Sequence, residues 1–281
     1  MSTNAQKKTK MSARGICRLT GIEGNFVDSH ILPRALTCPP TTGEKIRETA
    51  LEQRPISRPP SWYDNRLVIR AGEDILEAID TQAIDQLRKH MLVWTSFPHD
   101  APFANEEIMS LGADANFGVR VLHVDDARAL RLFFLSVVWR AAESTRGEFE
   151  EVQLPPAVLQ DIRERVRAKD PGDPWDYPIF LDQIITRGPW HNRTPIMESL
   201  AVPDEARTGV LMLSCVRIYL DGLVAKVVVT DADKLNREDS SSLVLGASHA
   251  LSIAARTFEE SRTSRDMIEV MEDNARRGCV F

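Results

Sequence analysis

The sequence predicts an α+β protein, and three observations carry that reading. A helix from Asp126 to about Thr145 is apolar nearly all round, which marks an element buried on every side. A series of short strands follows Tyr177 and contains Asp221-Gly222 between alternating hydrophobic runs, a strong hairpin signal. Upstream of both, Ile75, Leu76, Ile79, Ile84, Leu87 and Met91 recur at helical spacing.

Taken in order, residues 1–13 are polar and lysine-bearing without hydrophobic periodicity, the pattern of a disordered tail. Gly15 to Leu36 reads as a short strand, a turn at Gly21 to Gly24, a second short strand at Phe26 and Val27, and a helix opening at Ser29 or His30. Pro33 fits the first turn of such a helix, where no backbone donor is needed. Residues 38–61 hold Pro39, Pro40, Pro55, Pro59 and Pro60 and read as a long irregular connection, functional or disordered. A strand is expected at Arg66 to Arg70, then a helix from Glu73 to about His90 with Glu73, Asp74 and Glu77 at its positive end. Residues 117–124 alternate as a strand with Phe117, Val119 and Val121 pointing one way, and Asp125 or Asp126 caps the central helix. A charged helix at Pro155 to Lys169 and a Pro-Gly-Asp-Pro turn precede strands at about 178–186, 209–220, 223–230 and 242–247. A charged helix at 257–277 ends the pattern.

Hydrophobic residues at 43% and charged residues at 27% exclude a wholly disordered, collagen-like or disulfide-scaffold chain. The net charge of −6 hides an asymmetry: residues 1–70 carry twelve Lys and Arg against six Asp and Glu, so the first quarter is +6 and the rest −12. Such a split points to nucleic-acid contact by the basic part. Cys17, Cys38, Cys215 and Cys279 form no C-x-x-C pair, which excludes an intact zinc ribbon and fits unpaired thiols in a reducing cytoplasm. No secretory signal opens the sequence, and the longest apolar stretch, Leu132 to Trp139, is too short for a membrane span. A P-loop, a G-x-G-x-x-G and a complete G-x-S-x-G are lacking, which disfavours those enzyme classes. Trp190, His191, Asn192 and Arg193 form a polar-aromatic group after a Gly-Pro turn, read either as a binding loop or as a plain one.

Four features cluster in the first eighty residues: CRLTG at 17–21, SHILPRAL at 29–36, YDNRLVIRAGE at 63–73, and Asp80. Together they resemble microbial HNH-like proteins of the SHIIP type, whose function is unknown. Their N-terminal module reads C-x-x-C-G, S-H-I-I-P-K, then L-L-C-x-x-C-E and an acidic residue seven positions on. The stretches SWYD, GEDILEAID and RLFFLSVVWRAA extend the likeness. The resemblance implies an N-terminal ββα-metal unit over 14–95 with a proline-rich insertion, packed on a helical and antiparallel-sheet body over 96–281. It places His30 on the general base, Glu73 beside the last knuckle cysteine, and Asp80 on the later acidic position. Of the four knuckle positions only Cys17 is a cysteine, the others being Thr20, Ile69 and Gly72, so no structural zinc is expected.

Two function classes follow. In the first, the protein is a metal-dependent nuclease acting on DNA or RNA. His30 activates water, and Glu73, Glu77 and Asp80, at i, i+4 and i+7 on one helix face, hold Mg or Mn through oxygen ligands. Lys7, Lys8, Lys10, Arg14, Arg18, Arg34, Arg54 and Arg58 neutralise phosphates. In the second, the module is a catalytically inactive, HNH-derived binding or regulatory protein whose acidic body meets a protein partner. No membrane partner is expected in either.

Overall fold

The structure is a computed structural model. It describes residues 13–37, 46–48, 56–58, 61–98, 108–110, 116–204 and 209–277. The expected tail (bar Ala13), most of the proline-rich connection, Cys38 and Cys279 lie outside the described residues. Ala13 is ordered by the first hairpin, its carbonyl accepting from Phe26 N at 2.9 Å.

That hairpin pairs β1 (Arg14–Ile16) with β2 (Glu23–Asn25), Gly15 opposite Gly24. The helix expected at Ser29 or His30 is instead a strand, β3 (Ser29–His30). Pro33 stays extended, with ψ of 131°, and only a single 3-10 turn, Arg34–Leu36, follows. After β4 (Ile46–Glu48) and β5 (Ile56–Arg58), which pair with each other, β6 (Tyr63–Asp64) returns antiparallel to β3. The strand expected at Arg66 to Arg70 reduces to one bridge, Phe26 to Ile69, because Asp64 turns the chain by accepting from Arg66 N. Helix α1 (Arg70–Lys89) opens three residues earlier than Glu73.

β7 (Ile108–Ser110) and β8 (Phe117–Leu122) lead to α2 (Ala127–Glu143), whose first turn is capped by Asp126 accepting from Ala129 N. Residues Ala129 to Ala141 of α2 are all buried, as its all-round apolar sequence requires. On β8 the alternation runs as expected, but Gly118, Arg120 and Leu122 face inward while Phe117 and Val121 are exposed. Arg120 is tolerated there because it donates to Gln183 Oε1 at 2.9 Å and to the His90 carbonyl at 2.9 Å. Helix α3 (Pro156–Ala168) ends at Lys169, which adopts φ of 57°.

The body then contributes β9 (Ile179–Ile184), β10 (Ile196–Asp204), β11 (Gly209–Leu220), β12 (Leu223–Val228), a short α4 (Arg237–Ser240), β13 (Leu251–Arg256) and α5 (Arg262–Arg276). Among the described residues seven strands form one sheet in the order β10-β11-β12-β9-β13-β8-β7. It is mixed rather than antiparallel throughout, since β13 runs parallel to β9. The strand expected at 242–247 is a series of turns; the strand lies nine residues later, at β13. Between β11 and β12, Asp221 and Gly222 take φ of 49° and 86°, as a two-residue hairpin turn demands. A Cβ on Gly222 would collide with the Trp94 indole at 2.2 Å.

One hydrophobic core holds Cys17, Leu19, Ile31 and Leu76 of the N-terminal unit together with Phe133, Trp139, Ile218 and Ile253 of the body. Burial of such side chains contributes roughly 1.5–3 kcal/mol each. Helix α2 is therefore the shared wall on which the strand-strand-helix unit β3, β6 and α1 rests. Among the described residues no helix is long and apolar enough to cross a membrane.

Candidate functional site

The β3–β6 ladder sets Ser29 opposite Asp64 and His30 opposite Tyr63. Asp64 is 2% exposed, and its carboxylate accepts from Thr145 N at 2.6 Å and Thr145 Oγ1 at 2.9 Å, tying the ladder to the end of α2. Sequence reasoning did not single out this residue. The ladder turns the buried Ser29 toward Glu73 of α1 and sets His30 on the other face beside Tyr63; Asp80 stands two turns along α1 from Glu73.

At the centre lies Arg140 of α2, also absent from the sequence reading. Its guanidinium donates to Asp80 through two bonds, Nη2 to Oδ1 at 2.6 Å and Nη1 to Oδ2 at 3.0 Å. Nη1 also reaches the His30 carbonyl at 3.0 Å, and Nη2 the Ser136 hydroxyl at 2.9 Å. A cation buried in an apolar helix needs such partners. The signal was legible as an arginine in the otherwise apolar stretch that follows Leu132.

Burial pushes the Glu73 carboxyl above its ordinary range, against the pull of Ser29, Arg140 and Arg70. Its Oε2 and the Ser29 Oγ are both buried and have no hydrogen-bonding partner besides each other. Burial, followed by the charges of Arg140 and Arg34, lowers His30 below the usual imidazole value, so the ring is neutral at neutral pH. His30 also stands edge-on to Tyr63, with 6.4 Å between centroids.

The structure thus gathers Asp80, Glu73 and the His30 carbonyl around Arg140 and leaves Glu77 out. Glu77 points to solvent and pairs with Arg70 at 2.7 Å, so the expected three-carboxylate face does not converge. The set does not fit a divalent cation: both Asp80 oxygens are held by Arg140, Glu77 is turned to Arg70, and Glu73 alone of the three expected carboxylates stays unpaired with a cation. Among the described residues no group of three or more His, Cys, Asp or Glu is placed to hold a metal ion.

The expected phosphate contacts change as well. Arg14 pairs with Glu23 at 3.2 Å, and Arg18 donates to the Glu143 carbonyl at 2.8 Å and to its carboxylate at 3.0 Å. Arg34 is exposed on the 3-10 turn beside His30, and Arg58 ends β5. Lys7, Lys8, Lys10 and Arg54 lie outside the described residues.

Of the expected knuckle positions, Cys17 lies against Thr20 and Gly72. Cys17 is fully buried, and its Sγ accepts from Thr20 N at 3.4 Å. A Cβ on Gly72 would lie 2.8 Å from that sulfur, and Gly72 N donates to the Ile69 carbonyl at 2.9 Å. A thiol, a hydroxyl, an alkyl group and a hydrogen cannot supply four zinc ligands. Packing fills the corner instead.

Comparison with protein-family models, with curated proteins and with solved structures finds no match. What fold and site define is an α+β protein with a buried arginine-carboxylate pair at a strand-strand-helix junction.

Proposed function

We propose that the protein is a catalytically inactive, HNH-derived binding or regulatory protein. The observation that carries this reading is Arg140: a fixed guanidinium, 1% exposed, takes both oxygens of the carboxylate on which a catalytic cation would depend. Hydrolysis of a phosphodiester needs a cation free to bind the transferred phosphorus oxygens, and this one is enclosed. Arg14 and Arg18, tied to Glu23 and Glu143, are weakened as phosphate ligands. The net charge of −12 over residues 71–281 favours a basic protein surface as partner over nucleic acid.

The second reading, a nuclease using Mg or Mn on DNA or RNA, draws on one observation. A neutral His30 is chemically competent as a general base. Incubation of plasmid DNA and of RNA with Mg²⁺, Mn²⁺ or chelator, beside His30→Ala and Glu73→Ala, separates the two. The first reading expects no cleavage by wild type above the His30→Ala background in any arm. Metal-dependent cleavage that disappears in His30→Ala overturns it.

A further inference from the structure

The loop between β9 and β10 lays the ring of His191 face to face on Tyr219, with 4.5 Å between centroids and 21° between planes. Nδ1 of His191 faces the Pro189 carbonyl at 2.7 Å, which assigns the proton to that nitrogen and the lone pair to Nε2. Nε2 is buried without a partner, and so are the Tyr219 hydroxyl and the Trp190 indole nitrogen. Tyr219 itself is only 3% exposed. Buried polar groups in folded proteins nearly always have a partner. Two orphaned in one stacked pair, with a third on the adjoining loop residue Trp190, point to groups supplied from outside the chain.

The charge beside them gives the sign of the missing partner. Arg193 donates to Asp266 Oδ2 at 2.7 Å, Arg217 lies 3.5 Å from the same oxygen, and Arg262 lies 3.8 Å from Oδ1, so among the described residues three guanidinium groups share one carboxylate. Burial and the Asp221 carboxylate push the Tyr219 hydroxyl up, so it stays a proton donor, while Arg193 and Arg217 act on it in the opposite sense. Burial first, then the field of these two arginines, keeps His191 neutral, with its pKa lowered to about 4. The cluster reaches solvent at its rim, where the side chains of Arg193 and Asp266 are 25% and 29% exposed. The orphaned groups supply two hydrogen-bond donors, the Tyr219 hydroxyl and the Trp190 indole, with the Arg193 guanidinium at the rim, a set that suits the acceptor oxygens of an oxyanion.

We propose that this cluster binds a small ligand bearing a phosphate or carboxylate group. Its oxygens accept from the Tyr219 hydroxyl, the Trp190 indole and Arg193, and His191 Nε2 accepts from a hydroxyl or amide of the same ligand. The site is independent of the His30 cluster and of the HNH reading.

The test uses the full chain with ¹⁵N-labelled tryptophan, titrated with sodium phosphate and separately with sodium acetate at constant ionic strength held by chloride. The Trp190 indole N–H resonance, assigned through Trp190→Phe, is expected to shift saturably with at least one anion. Whichever anion saturates identifies the oxyanion class. Arg193→Gln and Tyr219→Phe are each expected to raise the dissociation constant roughly tenfold. Tyr219→Phe is expected to keep a melting temperature close to wild type, since its hydroxyl donates to no group within hydrogen-bond distance in the free protein. Three results overturn the proposal: no saturable shift with either anion, equal binding by both variants, or a Tyr219→Phe protein that melts several degrees lower.

Discussion

Arg140 and Asp80 meet through two parallel bonds, at 2.6 and 3.0 Å, across the interface of α1 and α2. Desolvating the two charges offsets most of their attraction, so the pair adds little net stability relative to apolar residues of the same volume. Removing one partner is different, because it strands the other charge in the core. Arg140→Met is expected to lower the unfolding free energy in urea by about 3–5 kcal/mol. The double variant Arg140→Met with Asp80→Leu is expected to regain most of that loss. A double variant as unstable as the sum of the singles would show that the pair is not what the two side chains contribute.

The same pair shows how far the sequence could be read. Helix α2, its Asp126 cap and the Asp221-Gly222 turn were legible because each rests on contacts within a few residues. Arg140 amid apolar residues needs polar partners, but nothing local names them: Asp80 lies sixty positions away, and the equally buried Arg131 of the same helix is met by the Pro171 and Gly172 carbonyls instead. Helix spacing also admits two stripes on α1. Arg70, Asp74 and Glu77 share one, and Glu73 and Asp80 the other, and Arg70 is what draws Glu77 outward. The edge strand β10 was missed because Glu198, Ser199 and Pro203 break its apolar alternation. At β13 the run Leu243 to Leu245 mimics a strand, while the real one alternates over Leu251 to Arg256.

Gly72 tests the packed corner that stands where the resemblance places a knuckle. An added Cβ would sit 2.8 Å from Cys17 Sγ and 2.9 Å from Val68 Cβ, both on fully buried residues. Alanine gains about 1 kcal/mol of helix propensity over glycine, but overpacking costs about 1–3 kcal/mol. Gly72→Ala is therefore expected to be destabilising by about 1 kcal/mol in urea. Cys17→Ala in the same chain, by removing the sulfur, is expected to relieve part of the overpacking. A stabilised Gly72→Ala protein would mean that Cys17 and Val68 yield freely.

Asp221 gives the stability a pH dependence of determinate sign. Burial raises its carboxyl to about 6, against hydrogen bonds from Thr95 and the charges of Arg187 and Arg88. The folded state therefore holds the proton through a window, about pH 4 to 6, in which the unfolded chain has released it, and stability falls as pH rises through that window. Asp221→Asn removes this term while keeping a carbonyl oxygen for Thr95. Relative to wild type, the variant is expected to be more stable at pH 7 than at pH 4.5 by on the order of 2 kcal/mol. His191 acts in the opposite direction, its stability lost as pH falls from about 6.5 toward 4. That contribution is common to both proteins and cancels in the difference. A difference that stays flat from pH 4.5 to 7 would show that Asp221 titrates normally.

Asp64 links this folding chemistry to the placement of His30. Its two oxygens serve Arg66 N at 2.8 Å, Thr145 N at 2.6 Å, Thr145 Oγ1 at 2.9 Å and Ser144 Oγ at 3.2 Å, all in a side chain 2% exposed. Asp64→Ala leaves these donors without an acceptor and is expected to cost about 2–4 kcal/mol. Asp64→Asn keeps one acceptor oxygen and is expected to cost less than half as much. Because Asp64 faces Ser29 in the ladder and anchors the end of α2, the loss should be local before it is global. Hydrogen exchange is then expected to accelerate most at Ile31 N, which donates to the Trp62 carbonyl, and at Thr145 N, while the amides of β11 and β12 keep their protection. Uniform acceleration across the sheet would instead make Asp64 a support of the whole core rather than of the strand that carries His30.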